Sequence, residues 1–423
     1  MKNIAKLTLL LFILMLAAGC KSKPPATESP EKIRDIFAGV AGVFILLDDN
    51  TLLGAGYNRS GQLGLGKVTQ SELFQGEAPQ AAALGQPLIA TITDERGAPF
   101  SGVKSVAAGE NHTVILKDDG TLWGACDSSF GELGLESGRL LVFTQLKAGN
   151  SPISGVKALA VGNNSSFFIS SDDNLWATGY NYYGELGLGN RKPQFAFNRV
   201  ESSGNNIKAL AAGIRHTVLL KENGTLWAAG YNFNGQHGLG DTEDRETFTE
   251  VRSAGSGITA VAAGNYHTVI LKNDGSVWAA GSNFWGQIGF PDDKDRQTFT
   301  RVNDAKGNPL TGVKEIAARG DITVLLMSNG SLLLAGVYTA PEPVRDGKEA
   351  KDDKQSDVKP GFAPLVAESG AGFTAVGKIV LGYSSAYVID TEGRLWAAGS
   401  NRYGQLNLGF DTEESSVLKL VYP

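Results

Sequence analysis

Cysteine is almost missing from this chain. Of 423 residues only Cys20 and Cys126 are cysteines, too few for a disulfide framework. With Cys20 committed elsewhere, as argued below, no disulfide is expected within the chain. Cys126 stands at the end of a strand, where sister segments carry Gly or Ala, and reads as a small buried residue rather than a reactive thiol. An excess of one charge is also missing. Lys and Arg number 38 against 44 Asp and Glu, for a net charge of −6. The two signs are interspersed and no basic stripe exists, which excludes a nucleic-acid binder. Apolar residues at i, i+3, i+4 and i+7 are absent, which excludes helical solenoids. No G-x-S-x-G, Walker or H-E-x-x-H pattern occurs. The sequence therefore assigns no catalytic, cofactor or metal residue, and the chain reads as a non-enzyme. There are 54 glycines, yet no G-X-Y period. That excludes collagen and points to many turns.

What is present is a repeat. The stretch Leu226–Gly240 reads LWAAGYNFNGQHGLG, and versions of it start at Leu52, Leu122, Leu175, Val277 and Leu395. A seventh, worn copy starts at Leu332 and lacks the glycine tail. Self-similarity at this spacing marks a repeat architecture. The head, Leu226-Trp227, reads as a strand with one large buried ring. Asn232 and Gly235 bracket a turn, and Gly238 and Gly240 suit a tight exit. Each unit offers four strand-like segments. In one unit they are Phe248–Val251, Ile258–Ala263, His267–Lys272 and Ser276–Ala280, with Asn273-Asp274-Gly275 as a hairpin turn. Four antiparallel strands per unit, repeated radially, make an all-β propeller. The first unit lacks its first strand, and Val417–Val421 forms a strand with no unit after it. The sequence therefore predicts a ring closed by pairing the C-terminal strand with the N-terminal blade near Ile33–Ala38.

The N-terminus has its own signature. Lys2 and Lys6 precede an apolar run from Leu9 to Ala18. Ten residues are too few for a hydrocarbon core, which takes roughly 20. The run reads as a secretory signal. Ala17-Ala18-Gly19 leads into Cys20, and the stretch resembles a bacterial lipoprotein signal, in which the cysteine is lipidated. Ala17 stands where Leu is usual. This gives a signal peptide over 1–19, a lipidated Cys20 with a polar, Pro-rich tether over 20–32, and the propeller over 33–423. The expected location is membrane-anchored and extracytoplasmic, at the cell surface or the periplasmic face.

The motif LWAAGxNxxGQLGLG, preceded by AAGxxHTVxL as at Ala211–Leu219, resembles the regulator of chromosome condensation repeat. The resemblance covers about residues 33 to 423. It implies a seven-bladed β-propeller of four-stranded antiparallel blades, in agreement with the strand count. The sixth unit departs most: a charged insertion over 338–361 replaces its motif tail. It is too poor in large apolar residues to form a core, so it is a mobile loop or a segment ordered by a partner. A looser insertion runs from Lys67 to Gly85.

His112, His216 and His267 share one repeat position, each followed by Thr. Such recurrence reads as a structural hydrogen bond at a strand start. A metal triad is excluded because the three lie on different blades. His237 replaces Leu in one motif tail as a tolerated variant. Antiparallel topology sends the loop before each His-Thr strand and the loop after each motif head to the same face. The variable tips gather there. Tyr182, Tyr183, Phe233, Tyr266, Phe284, Trp285, Arg402 and Tyr403 are the candidate partner-binding residues, since aromatic and Arg side chains on exposed loops anchor protein interfaces. The competing view is that these rings only seal the blade tops. The favoured reading is a monomeric, non-catalytic, lipid-anchored scaffold that binds a protein. The alternatives are a cell-wall or carbohydrate binder that stacks sugars on the same rings, and a guanine-nucleotide exchange factor like the eukaryotic namesake of the family. A secretory signal argues against the latter.

Overall fold

A computed structural model of the chain describes residues 32–40, 42–67, 89–136, 138–304, 306–337, 361–370, 372–408 and 414–422. The chain divides into Met1–Lys32 and Ile33–Pro423. The signal segment, Cys20, and nearly all of the insertions at 67–85 and 338–361 lie outside the described residues.

From Ile33 onward the chain forms seven four-stranded antiparallel sheets. Blade one is Ile33–Ala38, Gly42–Leu47, Leu52–Gly56 and Ala90–Thr91. Blade two is Val103–Ala108, His112–Lys117, Leu122–Asp127 and Arg139–Gln145. Blade three is Val156–Val161, Ser165–Ser170, Leu175–Gly179 and Gln194–Arg199. Blade four is Ile207–Ala212, His216–Lys221, Leu226–Gly230 and Arg245–Glu250. Blade five is Ile258–Ala263, His267–Lys272, Val277–Gly281 and Arg296–Arg301. Blade six is Val313–Arg319, Ile322–Met327, Leu332–Gly336 and Ala363–Pro364. Blade seven is Val376–Leu381, Ser385–Asp390, Leu395–Ser400 and Glu414–Tyr422. The first strand of each blade touches the first strands of its two neighbours, and the seventh touches the first. These inner strands therefore line a central axis, and the fold is a closed β-propeller. Among the described residues the only helical pieces are the single turns Glu201–Ser203 and Arg252–Ala254.

Two expectations need correction. The sheets are framed one strand later than the sequence reading set them. Phe248 belongs to Arg245–Glu250, which pairs back onto Leu226–Gly230 with Trp227 opposite Glu250. It closes blade four rather than opening blade five. The second correction concerns closure. The C-terminal strand Glu414–Tyr422 pairs with Leu395–Ser400 as the outer strand of blade seven, Leu420 opposite Trp396. It does not pair with Ile33–Ala38, whose ladder partner is Gly42–Leu47. Every blade is thus one continuous stretch of chain. The ring shuts by packing: Ile33, Ile36, Val43 and Ile45 of blade one share a core with Tyr387, Ile389, Leu395 and Ala397 of blade seven. Lys378 of blade seven ion-pairs with Asp35 of blade one. The Tyr383 amide donates to the Gly39 carbonyl at 3.2 Å. Buried apolar area does here what a shared strand was expected to do.

The motif explains the blade-to-blade fit. After its strand the chain turns and reaches the next blade, where Gly240 N–H donates to the Gln297 carbonyl at 2.8 Å. Gly238, at φ +71°, lies under Phe299 of the next blade's outer strand, and a Cβ there would come within 2.5 Å of the ring. Glycine supplies both the left-handed turn and the flat seat. Trp227 is half-buried rather than fully buried. Its indole N–H needs an acceptor and finds the Thr225 hydroxyl at 3.1 Å, at the hairpin end of the blade. Trp123, Trp278 and Trp396 are held in the same way by Thr121, Ser276 and Asp390.

Candidate binding face

The motif turn is a small built device. Asn232 Oδ1 accepts the His237 amide at 2.9 Å, and Asn232 Nδ2 donates to the Asp241 carbonyl at 3.0 Å. Gln236 Oε1 accepts the Asn234 amide at 3.1 Å. The same Asn and Gln or Glu bonds recur around Asn181 and Glu185, Asn283 and Gln287, and Asn401 and Gln405. Both polar side chains are buried. They fix the turn from inside, so the two residues between Asn and Gly form its tip.

The tip residues alternate in their surroundings. The first of each pair points outward: Tyr182 is 52% exposed, Phe233 69% and Phe284 48%. Arg402 is exposed as well. The second of each pair, Tyr183, Trp285 and Tyr403, is half-buried, as is Tyr266. The half-buried rings support the exposed ones. Phe284 meets Trp285 edge-on at 4.9 Å. Tyr182 meets Tyr180 at 4.8 Å, and Phe233 stacks on Tyr231 at 6.3 Å. Tyr183 joins Tyr231 at 5.0 Å, Tyr231 joins Tyr266 at 5.8 Å, and Phe130 joins Tyr180 at 5.3 Å. An aromatic crescent thus runs over blades two to five, linked ring to ring from Phe130 to Tyr266, with Phe284 and Trp285 of blade five as a separate pair. Tyr403 sits apart, 5.0 Å from Tyr57.

The sequence reading did not single out Tyr57, Tyr180 and Tyr231, which stand just before the motif Asn; Tyr180 and Tyr231 underlie the crescent, and Tyr57 supports Tyr403. Their signal was available, because that position is Tyr in three copies and Ser at Ser282 and Ser400. Arg215 was missed too. Its guanidinium lies 4.9 Å over the Tyr183 ring and donates to the Tyr183 hydroxyl at 3.1 Å. Toward the axis, Asn265 donates to Asp321 at 3.0 Å and lies 2.8 Å from the Tyr383 hydroxyl. Burial pushes the Asp321 carboxyl up to about 6 and the Tyr383 phenol up to about 12.

The repeated histidines are structural. His216 Nε2 lies 3.1 Å from the Thr268 hydroxyl of the next blade, and that hydroxyl donates to the Gln236 carbonyl at 2.8 Å. The hydroxyl proton is thereby used, so Nε2 carries the imidazole proton and donates. His267 reaches Thr323 and His112 reaches Ser166 in the same manner. Burial pulls His216 down to about 4 and His112 and His267 down to about 3, so all three are neutral near pH 7. Among the described residues no group of His, Cys, Asp and Glu could hold a metal ion. No described helix is long and apolar enough to cross a membrane.

Fold and face together define a seven-bladed repeat propeller that presents a rim of aromatic turns. The family model of the regulator of chromosome condensation repeat matches residues 103–132, 156–185, 207–236, 258–287 and 378–405, and a second model of the repeat matches 172–220 and 223–271. The chain belongs to the regulator of chromosome condensation repeat family. It is 28% identical over 280 residues to the ultraviolet-B receptor UVR8 of Arabidopsis thaliana, covering 65% of this chain and 58% of that one. It is 38% identical over 120 residues to a secretion-regulating guanine nucleotide exchange factor of Bos taurus, 28% of this chain and 26% of that one. The chain thus spans less than two thirds of the length of these relatives. Among solved structures, Prp20p of Saccharomyces cerevisiae superposes with a TM-score of 0.65 at 19% identity, covering 93% of this chain and 87% of that one. Human WBSCR16 superposes at 0.62 with 18% identity, covering 80% and 85%. Both likenesses concern the fold alone.

Proposed function

We propose that this chain is a non-catalytic extracytoplasmic propeller, tethered by a lipid on Cys20, that binds a protein partner through the crescent of blades two to five. The observation that carries the reading is the trio Tyr182, Phe233 and Phe284, each exposed, one per blade, and each braced by a second ring. Braced aromatics lose little conformational entropy on binding, which is why they act as interface anchors. Prp20p, which shares the fold, binds Gsp1p and histones, and this supports a protein rather than a small molecule as the guest. Nucleotide exchange fits less well, because the basic-apolar-Cys20 leader reads as a secretory signal and the nucleotide switch is cytosolic.

The test is a combined Y182A/F233A/F284A variant, with N223A at a hairpin tip of the opposite face as control. Affinity capture from cells should lose its protein partner with the triple variant and keep it with the control, at unchanged melting temperature. Capture unaffected by the triple change, or recovery of peptidoglycan with no protein, contradicts the reading. Metabolic acyl labelling that Cys20→Ala abolishes supports the tether, and labelling that persists rules it out.

A further inference from the structure

The ring is stitched at its mouth by one glycine position. In six blades the inner strand is followed at once by a glycine, Gly39, Gly109, Gly162, Gly213, Gly264 or Gly382. A neighbouring carbonyl leaves no room there: a Cβ on Gly264 would lie 2.8 Å from the Gly320 carbonyl oxygen. Glu110 N–H donates to Asn163 and Asn265 N–H to Gly320, at 2.9 and 2.8 Å, across successive blades. Blade six alone breaks the pattern. Its inner strand runs one residue longer, so Arg319 stands where the other blades have that glycine and Gly320 comes after it.

The Arg319 side chain leaves its own blade. Its Nη2 donates to the Ala108 carbonyl of blade two at 2.6 Å. Blades six and two are not neighbours: blades seven and one separate them on one side, blades three to five on the other. The side chain therefore crosses the central channel.

The guanidinium has five N–H donors, and the described residues give it one acceptor and no carboxylate within ion-pair distance. Glu110 and Asp321, the acids closest in sequence to the two ends of this bond, do not answer it. Glu110 is shifted by burial, Asn163 and Arg215, and Asp321 by burial, Asn265 and Gln287. Burial lowers Arg319 to about 10, so it stays charged at neutral pH. Arg319 is half-buried; a partly desolvated cation with one neutral acceptor carries a cost that falls when a counter-charge joins it.

We propose that the central channel holds a small monovalent anion of the size of chloride, seated on the Arg319 guanidinium. The anion supplies the charge that no described carboxylate provides. It uses donors left over from the bond to Ala108. The site belongs to the channel and is independent of the aromatic crescent.

The test measures thermal unfolding of the propeller as chloride replaces gluconate at fixed ionic strength. Wild type should show a saturable rise of about 2 °C once chloride exceeds its dissociation constant about tenfold. Arg319→Gly, which restores the residue of the other six blades, should show none. If that variant does not fold, Arg319→Met keeps the bulk without the charge and should likewise be flat. A wild type that ignores chloride, or an equal response in a folded Arg319 variant, overturns the proposal.

Discussion

At the scale of residues, blades two and three carry Glu132 and Glu185 where blades one, four, five and seven carry Gln62, Gln236, Gln287 and Gln405. The position demands an acceptor for the tip amide, and Glu185 Oε2 accepts the Tyr183 N–H at 3.0 Å. The rest of the carboxyl is buried, and Oε1 has no partner. Burial pushes Glu185 up to about 8, so at pH 7 it is protonated and imitates the amide of glutamine. The folded pKa lies above the unfolded one. The stability this group contributes is therefore complete below the unfolded value and drains away as pH rises through about 8. Glu185→Gln removes the titration and should stabilise the protein by about 4 kcal/mol at pH 8, and hardly at all at pH 4.5. Denaturant unfolding of both proteins at the two pH values checks this; an equal or smaller gain at pH 8 than at pH 4.5 contradicts it.

At the scale of elements, the hairpin turns, the motif tails and the strand content were legible, because each rests on local chemistry. Asn273-Asp274-Gly275 is a turn in the sequence and in the fold, with Gly275 N–H donating to the Lys272 carbonyl. The frame of the blade was not legible. A repeat has no marked beginning, and Arg245–Glu250 joins its blade only because the chain doubles back after Gly240. The C-terminal strand misled for the same reason. It looked like a first strand without a blade, yet it is the last strand of blade seven. Leu418 in it is fully buried, in a core shared by blades six and seven, while Leu420 is exposed. Leu418→Ala should cost about 2–5 kcal/mol, and Leu420→Ala no more than about 0.5 kcal/mol. Equal costs by denaturant unfolding would mean that this strand does not seat as described.

At the scale of the whole molecule, the seven blades and the loop-rich face followed from counting copies and alternating directions. Which tips project did not. The motif Asn and Gln fix the turn so that the first tip residue points out and the second packs inward, and only coordinates separate Tyr182 from Tyr183. Arg319 was likewise visible only as one departure from Ala-Ala-Gly, with no hint that it bridges blades six and two. The ring therefore does two jobs with one repeat. Constant polar side chains hold the turns, and variable ones decorate them.

Photocrosslinking in living cells addresses the binding face directly. A benzophenone side chain is placed at Phe233, on the crescent, and in a separate protein at Phe195, an exposed ring on the outer strand of blade three. The account predicts one protein adduct from position 233 and none from position 195. An adduct from 195 alone, or irradiation that links 233 only to glycan, would contradict it.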